Sequence, residues 1–454
     1  MKEYGAATEP FKELSLRATS LTVYGNVRND EVVSALQELL EAIGKTEFEV
    51  LYKCYHRFCS LAVTHNWPEY FARLILEDEN PFSRRAAQRG REGLNPSLWA
   101  LTIRDLEVCR ALGAVSSGEI KAVATALFAS EVGQSPLAPE YWPEWERAGG
   151  DEEDLSQKGK HFWHKDVYQK ALHYAIGKGT AEERGAVLAD YHHLLGYGVL
   201  GPYVAFRWRG EVEYLEGIAE PDPVQREQLI GLDRELALIA ENTKYFLAGH
   251  AANNMILYGN RGTGKSSAVK SLLESYGEQG LRLVELAKGD LGDFPKVVRI
   301  LSGRPQKFII FVDDLSFDDT EPEYKALKTV LEGGLEAKPG NVLIYATSNR
   351  RHLIRENFSD RQGDEIHVLD TVEEKLSLAD RFGITVTFPS PDQEGYLGIV
   401  QGLADQRGLT VAPDELRRLA LRWEMMHNGR SGRTARQFID YLEACLASPD
   451  CQQG

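Results

Sequence analysis

Apolar positions along the first 220 residues recur at helical spacing. Phe48, Leu51, Tyr52, Tyr55, Phe58, Cys59 and Ala62 share one stripe. Val32, Val33, Leu36, Leu39, Leu40 and Ile43 form another, with Asn29 placed to cap that helix and Gly44 to end it. Thr46-Glu-Phe-Glu49 and Thr180-Ala-Glu-Glu183 each have the form of a capping box, in which hydroxyl and carboxylate satisfy N–H groups of the first turn reciprocally. Residues 130–160 are rich in Pro, Trp and acid and predict a long loop, and Tyr203–Trp208 alternates as a short strand does.

The pattern changes after Ala219-Glu-Pro-Asp-Pro223. Apolar runs at Asn254–Tyr258, Leu281–Ala287, Lys307–Val312, Asn341–Thr347 and Ile384–Phe388 alternate with helix-like stretches near 265–276, 293–302, 322–334 and 372–382. Alternation of this kind predicts a parallel sheet with helices on both faces. A second break, Phe388-Pro-Ser-Pro-Asp392, precedes a helical tail. Three parts are expected: a mainly helical segment 1–220, an α/β core 221–390 and a helical lid 391–454.

Composition narrows the class. The 454 residues are 43% hydrophobic and 26% charged, as in a soluble globular protein. The charge of −16 is spread over both halves and disfavours broad nucleic-acid binding, which needs a basic face. Cys54, Cys59, Cys109, Cys445 and Cys451 are too sparse and too few by one for a disulfide framework. No signal-peptide core and no apolar run of membrane length is present, so a cytoplasmic protein is expected.

The chemistry lies in the α/β part. Gly259-Asn260-Arg261-Gly262-Thr263-Gly264-Lys265-Ser266 fits G-x-x-x-x-G-K-[ST], with an apolar strand before it and a helix after it. Its backbone N–H groups, with Ser267 just inside the helix, suit the phosphates of a nucleotide. Lys265 reaches the outer phosphates in this motif and Ser266 ligates Mg²⁺. A second acidic site is expected at the tip of a buried strand, and Phe308-Ile-Ile-Phe-Val-Asp313-Asp314 supplies it. Asp313 is assigned to the Mg²⁺ shell and Asp314 to the attacking water.

These motifs resemble the AAA+ superfamily of P-loop ATPases across residues 225–446. The resemblance extends to Leu229–Leu236, the lead-in segment that often packs near the adenine. It implies that Asn349 is the polar residue facing the outer phosphate or water. Asp380-Arg381-Phe-Gly383 is similar to the segment carrying an arginine finger, so Arg381 would act on a neighbouring subunit's nucleotide within a homo-oligomeric ring. Gly432-Arg433-Thr-Ala-Arg436 is similar to the lid arginine motif, with Arg433 the better match and Arg436 the runner-up. Plainer readings stand beside these: a strand-end turn for Asn349, a surface ion pair for Arg381. More closely, GNRGTGKSSAVKSLL, FVDDLSF, ATSNRRHLI, LADRFG and SGRTARQF resemble a bacterial AAA+ family known as ATP-binding proteins without an assigned function. One departure stands out. Many superfamily members carry Asp-Glu at the acidic strand; here Asp314 is one methylene shorter, which predicts slow turnover unless the backbone compensates.

The implied function is ATP hydrolysis by an oligomeric ATPase that remodels a macromolecular partner held by the N-terminal helices. The alternatives are an ATP-dependent switch or scaffold, and a helicase-loader-like protein at DNA, which the acidic balance disfavours. Gly289-Asp-Leu-Gly-Asp-Phe294 is a poor match to a threading pore loop. His161, His164, His192 and His193 lack matched carboxylates, and Trp142, Trp145, Trp163 and Trp208 are expected to anchor packing rather than stack on bases.

Overall fold

The computed structural model describes residues 2–45, 47–132, 135–148, 165–177, 179–222, 224–315, 327, 331, 339–349, 381–427 and 429–447. The chain divides into two compact units, Met1–Tyr203 and Val204–Gly454.

The first unit is helical. The stripe of Leu36, Leu39, Leu40 and Ile43 is fully buried, as are Leu51, Tyr55 and Phe58 on the next helix, so the helices Glu31–Lys45 and Phe48–Ala62 pack on each other through the predicted faces. Trp142 and Trp145 close the same core against Tyr55. The capping box at Thr180 forms as expected, with Glu183 N–H donating to Thr180 Oγ1 at 3.2 Å and Thr180 N–H donating to Glu183 Oε2 at 2.8 Å. Two caps differ from expectation. Asp30, not Asn29, caps the helix starting at Glu31, accepting from Val32 and Val33 N–H groups. The helix starting at Phe48 has Glu47 as its cap residue, so Glu49 is one position early for the predicted box and pairs with Lys53 instead; Thr46 lies outside the described residues. Gly44 does not end its helix, which runs to Lys45. Buried Asp105 acts as a hub, its Oδ2 accepting the N–H groups of Thr22, Val23 and Tyr24 at 2.7, 2.6 and 3.2 Å. No single helix among the described residues is long and apolar enough to cross a membrane.

The second unit is built on a seven-stranded sheet. Its strands are β1 (Ala205–Arg209), β2 (Tyr214–Gly217), β3 (Met255–Gly259), β4 (Leu281–Glu285), β5 (Lys307–Val312), β6 (Val342–Ser348) and β7 (Ile384–Phe388), in the order β2-β1-β4-β5-β6-β3-β7. All neighbours are parallel except β1 and β2. Phe308–Val312 and Val342–Ser348 are buried along their length, which is why these strands are continuous apolar runs rather than alternating ones. Because β1 and β2 extend this sheet, the second unit begins at Val204, and the break at 219–223 lies inside it instead of bounding it.

The fold is the expected α/β core followed by three lid helices, Gln393–Gln406, Pro413–Met426 and Gly432–Ala447. The lid has a core of its own around Tyr396, Val400, Phe438 and Ile439. The helix Asp233–Leu247 is tied to β6 by Tyr345, whose hydroxyl bonds Asn242 Nδ2 at 2.9 Å and Thr243 Oγ1 at 3.0 Å. Strand β6 therefore sits between the strand that opens the phosphate loop, β3, and the strand that ends in the acids, β5.

Candidate functional site

The loop after β3 turns back so that the helix Lys265–Tyr276 starts at its end, with Gly264 in the cap position and no side chain satisfying the first turn. Those N–H groups and the positive end of the helix dipole are left for an anion. Gly262 takes a left-handed backbone (φ +78°), and a Cβ there would stand 2.9 Å from Ser431 Oγ. At Gly259 a Cβ would stand 2.4 Å from the Phe388 carbonyl, so the loop leaves β3 hard against β7.

Lys265 is buried, and its ammonium donates to the carbonyls of Gly259 and Asn260 and to Asn349 Oδ1, each at 2.8 Å. Register explains the reach: Leu257 and Tyr258 pair with Thr347 and Ser348, so Asn349 follows beside Gly259. Burial pushes the Lys265 ammonium below its ordinary range, while Asp313 and Asp314 pull it back up.

Asp313 and Asp314 stand at the exposed tip of β5. Ser266 Oγ donates to Asp313 Oδ1 at 2.7 Å, and Asn349 Nδ2 donates to Asp314 Oδ1 at 2.5 Å. Asp314 has φ +50°, one of two non-glycine residues in the left-handed region among the described residues. Thr347, which the motif reading passes over, bonds both acids: its hydroxyl donates to Asp313 Oδ1 and accepts the Asp314 N–H at 2.9 Å.

The lid closes the other side. Ser431 caps the last helix, taking the Thr434 N–H on Oγ at 3.0 Å, and the Arg433 N–H donates to the Gly262 carbonyl at 3.2 Å. Asn260 Nδ2 donates to Ser390 Oγ at 2.7 Å. Ile230, from the lead-in segment, packs against the lid core, where a Cβ at Gly402 would stand 2.5 Å from its Cδ1.

A cavity of about 760 Å³ lies between these elements. Arg261, Gly262, Thr263, Gly264, Lys265, Ser266, Ser267, Asp313, Asp314, Asn349, Arg433 and Arg436 all line it, with apolar Leu229–Leu232, Ile399 and Leu403 at one end. Gly259 and Asn260 contribute carbonyls behind the lining. Arg381 is not brought to the cavity; it lies half-buried in the turn before β7. Asp380, His161, His164 and Trp163 lie outside the described residues. Thr347, Ser431, Pro389 and Ser390 are the additions that the structure makes. Thr347 lies two residues before Asn349, but nothing in the sequence marks its contact with the acids, which depends on the pairing of β6 with β5.

Comparison with known families places residues 202–446 in a family described as a protein of unknown function, DUF815. The chain belongs to this family. The DUF815 match begins two residues before the second compact unit and ends one residue before the end of the last helix, so it takes in sheet, site and lid together. No curated protein matches the chain. Among solved structures, the Holliday junction branch migration motor RuvB of Thermotoga maritima matches at 13% identity with a TM-score of 0.35. Two point mutants of it match at 13% and 12% identity, each with a TM-score of 0.36. Each match covers 50% of this chain and 66% of that chain, just under two thirds of the RuvB length. The core of the matched region is a mostly parallel α/β sheet in which β3, leading into the glycine-rich loop, and β5, ending in the two acids, flank β6.

Proposed function

We propose that this chain binds ATP with Mg²⁺ and hydrolyses it. The observation that carries the reading is the convergence of Lys265, the Ser266–Asp313 pair and the Asn349–Asp314 pair on one cavity. About 760 Å³ suits a nucleotide. The apolar end at Leu229–Leu232 fits a base, and the helix N-terminus with Arg261, Lys265 and Arg433 fits phosphates.

The donors also fit the metal. Ser266 Oγ and Asp313 Oδ1 are hard oxygens in mutual contact, and no group of three or more His, Cys, Asp or Glu side chains among the described residues forms a metal cluster. Magnesium is commonly held this way, by few protein ligands plus phosphate and water. When bound, it offsets charge on the phosphates. Lys265 holds the outer phosphates, and Asp314 orients the attacking water and takes its proton, with Asn349 fixing the Asp314 carboxylate. Arg381 is proposed to complete a neighbour's site in a head-to-tail ring, which makes turnover depend on assembly. The macromolecular client falls to residues 1–203.

Phosphate release from ATP is the test. The expected result is Mg²⁺-dependent release by wild type, lost in Lys265→Ala together with nucleotide binding. A wild type that binds no ATP with or without Mg²⁺ overturns the proposal. The short acid on a left-handed backbone favours a second reading in which occupancy is the signal and turnover resets it slowly. That reading expects Asp314→Asn to retain cellular function.

A further inference from the structure

We propose that Thr347 is a positioning residue: its hydroxyl sets how Asp313 is presented to the metal and Asp314 to the water. This rests on the ATPase reading above. Thr347 is 1% exposed on central strand β6, where an aliphatic residue would satisfy the core as well. Its hydroxyl uses both capacities at once, donating to Asp313 Oδ1 and accepting the Asp314 N–H at 2.9 Å.

The placement follows from register. Val312 pairs with Ala346, so one step further sets Thr347 beside Asp313. The chain then turns on Thr347 a second time, with the Leu315 N–H donating to the Thr347 carbonyl at 2.7 Å. Two successive N–H groups are thus pinned to one residue. Between those anchors Asp314 adopts φ +50° and its carboxylate meets Asn349 Nδ2. The backbone turn supplies a fixed direction to an acid that is one methylene short.

Asp313 is held just as closely. Among the described residues its donors all reach Oδ1: Ser266 Oγ at 2.7 Å, the Thr347 hydroxyl, and the Asp314 N–H at 3.2 Å. That arrangement leaves Oδ2 as the oxygen of Asp313 that no donor among the described residues reaches. Groups that orient a metal ligand without touching the metal typically change affinity or activity by 10–100-fold when removed.

The test titrates Mg²⁺ against binding of a fluorescent ATP analogue, alongside binding in EDTA and steady-state hydrolysis. Thr347→Val keeps the shape and the strand preference and removes only the hydroxyl. The expected result is a Mg²⁺ midpoint raised by about 10–100-fold and a lowered kcat, with metal-free binding unchanged. Thr347→Ser restores the wild-type midpoint, and Thr347→Ala behaves as Val. The Ser and Ala pair decides the matter if the Val variant does not fold. A wild-type Mg²⁺ midpoint and kcat in Thr347→Val or Thr347→Ala overturns the proposal. So does a Ser variant as impaired as Ala, which would assign the effect to the lost methyl. Either result with wild type binding Mg²⁺ and ATP leaves the ATPase reading standing, whereas a wild type that binds no analogue overturns both.

Discussion

Asp314 holds a backbone conformation that costs a non-glycine residue about 1–3 kcal/mol, and its anchors are Thr347 and Asn349. Asn tolerates the left-handed region as Asp does. Asp314→Asn should therefore fold normally and keep ATP binding while losing about 100-fold or more in kcat, the scale of a general base. Separate binding and turnover measurements check this. His192 offers a test in the first unit. It is fully buried among Phe82 and Tyr191, bonded through Nδ1 to the Gly196 carbonyl at 3.0 Å. Burial drives its pKa down to about 4, against the backbone bond that raises it. Below pH 6.5 the unfolded chain takes a proton that the folded one refuses, so stability falls as pH drops from about 6.5 to 4. The loss approaches about 3 kcal/mol at the lower end. Denaturant midpoints should fall across that window in wild type and fall less in His192→Gln.

At the scale of elements, the phosphate loop and the lid meet through backbone as much as through side chains. The Arg433 N–H bonds the Gly262 carbonyl, and Gly262 leaves room for Ser431 only because it has no side chain. Gly262→Ala adds a left-handed Ala, at roughly 1–2 kcal/mol, and a contact with Ser431 that forces the lid outward. The left-handed strain is carried with and without nucleotide, so it is expected to lower the unfolding midpoint. The displaced lid is expected to weaken ATP binding besides, and titration calorimetry beside unfolding curves reads the two effects apart. Strands and helices of this unit were legible because each carries its own period: Lys307–Val312, Ile384–Phe388 and the helix starting at Lys265 stand where the pattern puts them. Caps were less legible. Asn29 and Asp30 are both competent caps, and the choice is made by where the chain enters the helix. The Thr347 contact was not legible at all, since a threonine in an apolar run reads as strand filler until pairing with β5 is known.

For the whole molecule, the division at Tyr203–Val204 predicts two cooperative transitions on heating, of which ATP with Mg²⁺ raises only the one that carries the cavity. Ligand at 100 times its dissociation constant stabilises that unit by about 2.7 kcal/mol. Calorimetric scans with and without ATP check this, and a shift shared equally by both transitions would show coupling between the units. The ring proposal has its own measurement. Light scattering should show ATP-dependent assembly of wild type. If Arg381 completes a neighbour's site, Arg381→Ala should bind ATP as before and lose assembly-dependent hydrolysis. A wild type that stays monomeric with ATP bound removes the basis for that role.

Sequence alone determined the alternation of strand and helix, the phosphate loop, the paired acids and the family resemblance, because each is a local pattern whose spacing is set by a repeat of two or 3.6 residues or by the needs of a phosphate. Only the tertiary structure decided that β1 and β2 extend the sheet, that Asn349 shares Lys265 with the loop carbonyls, and that Thr347 binds both acids. Those facts depend on strand order and register. Pairing of β5 with β6 joins residues 34 positions apart, and no local period along the chain records which strands become neighbours.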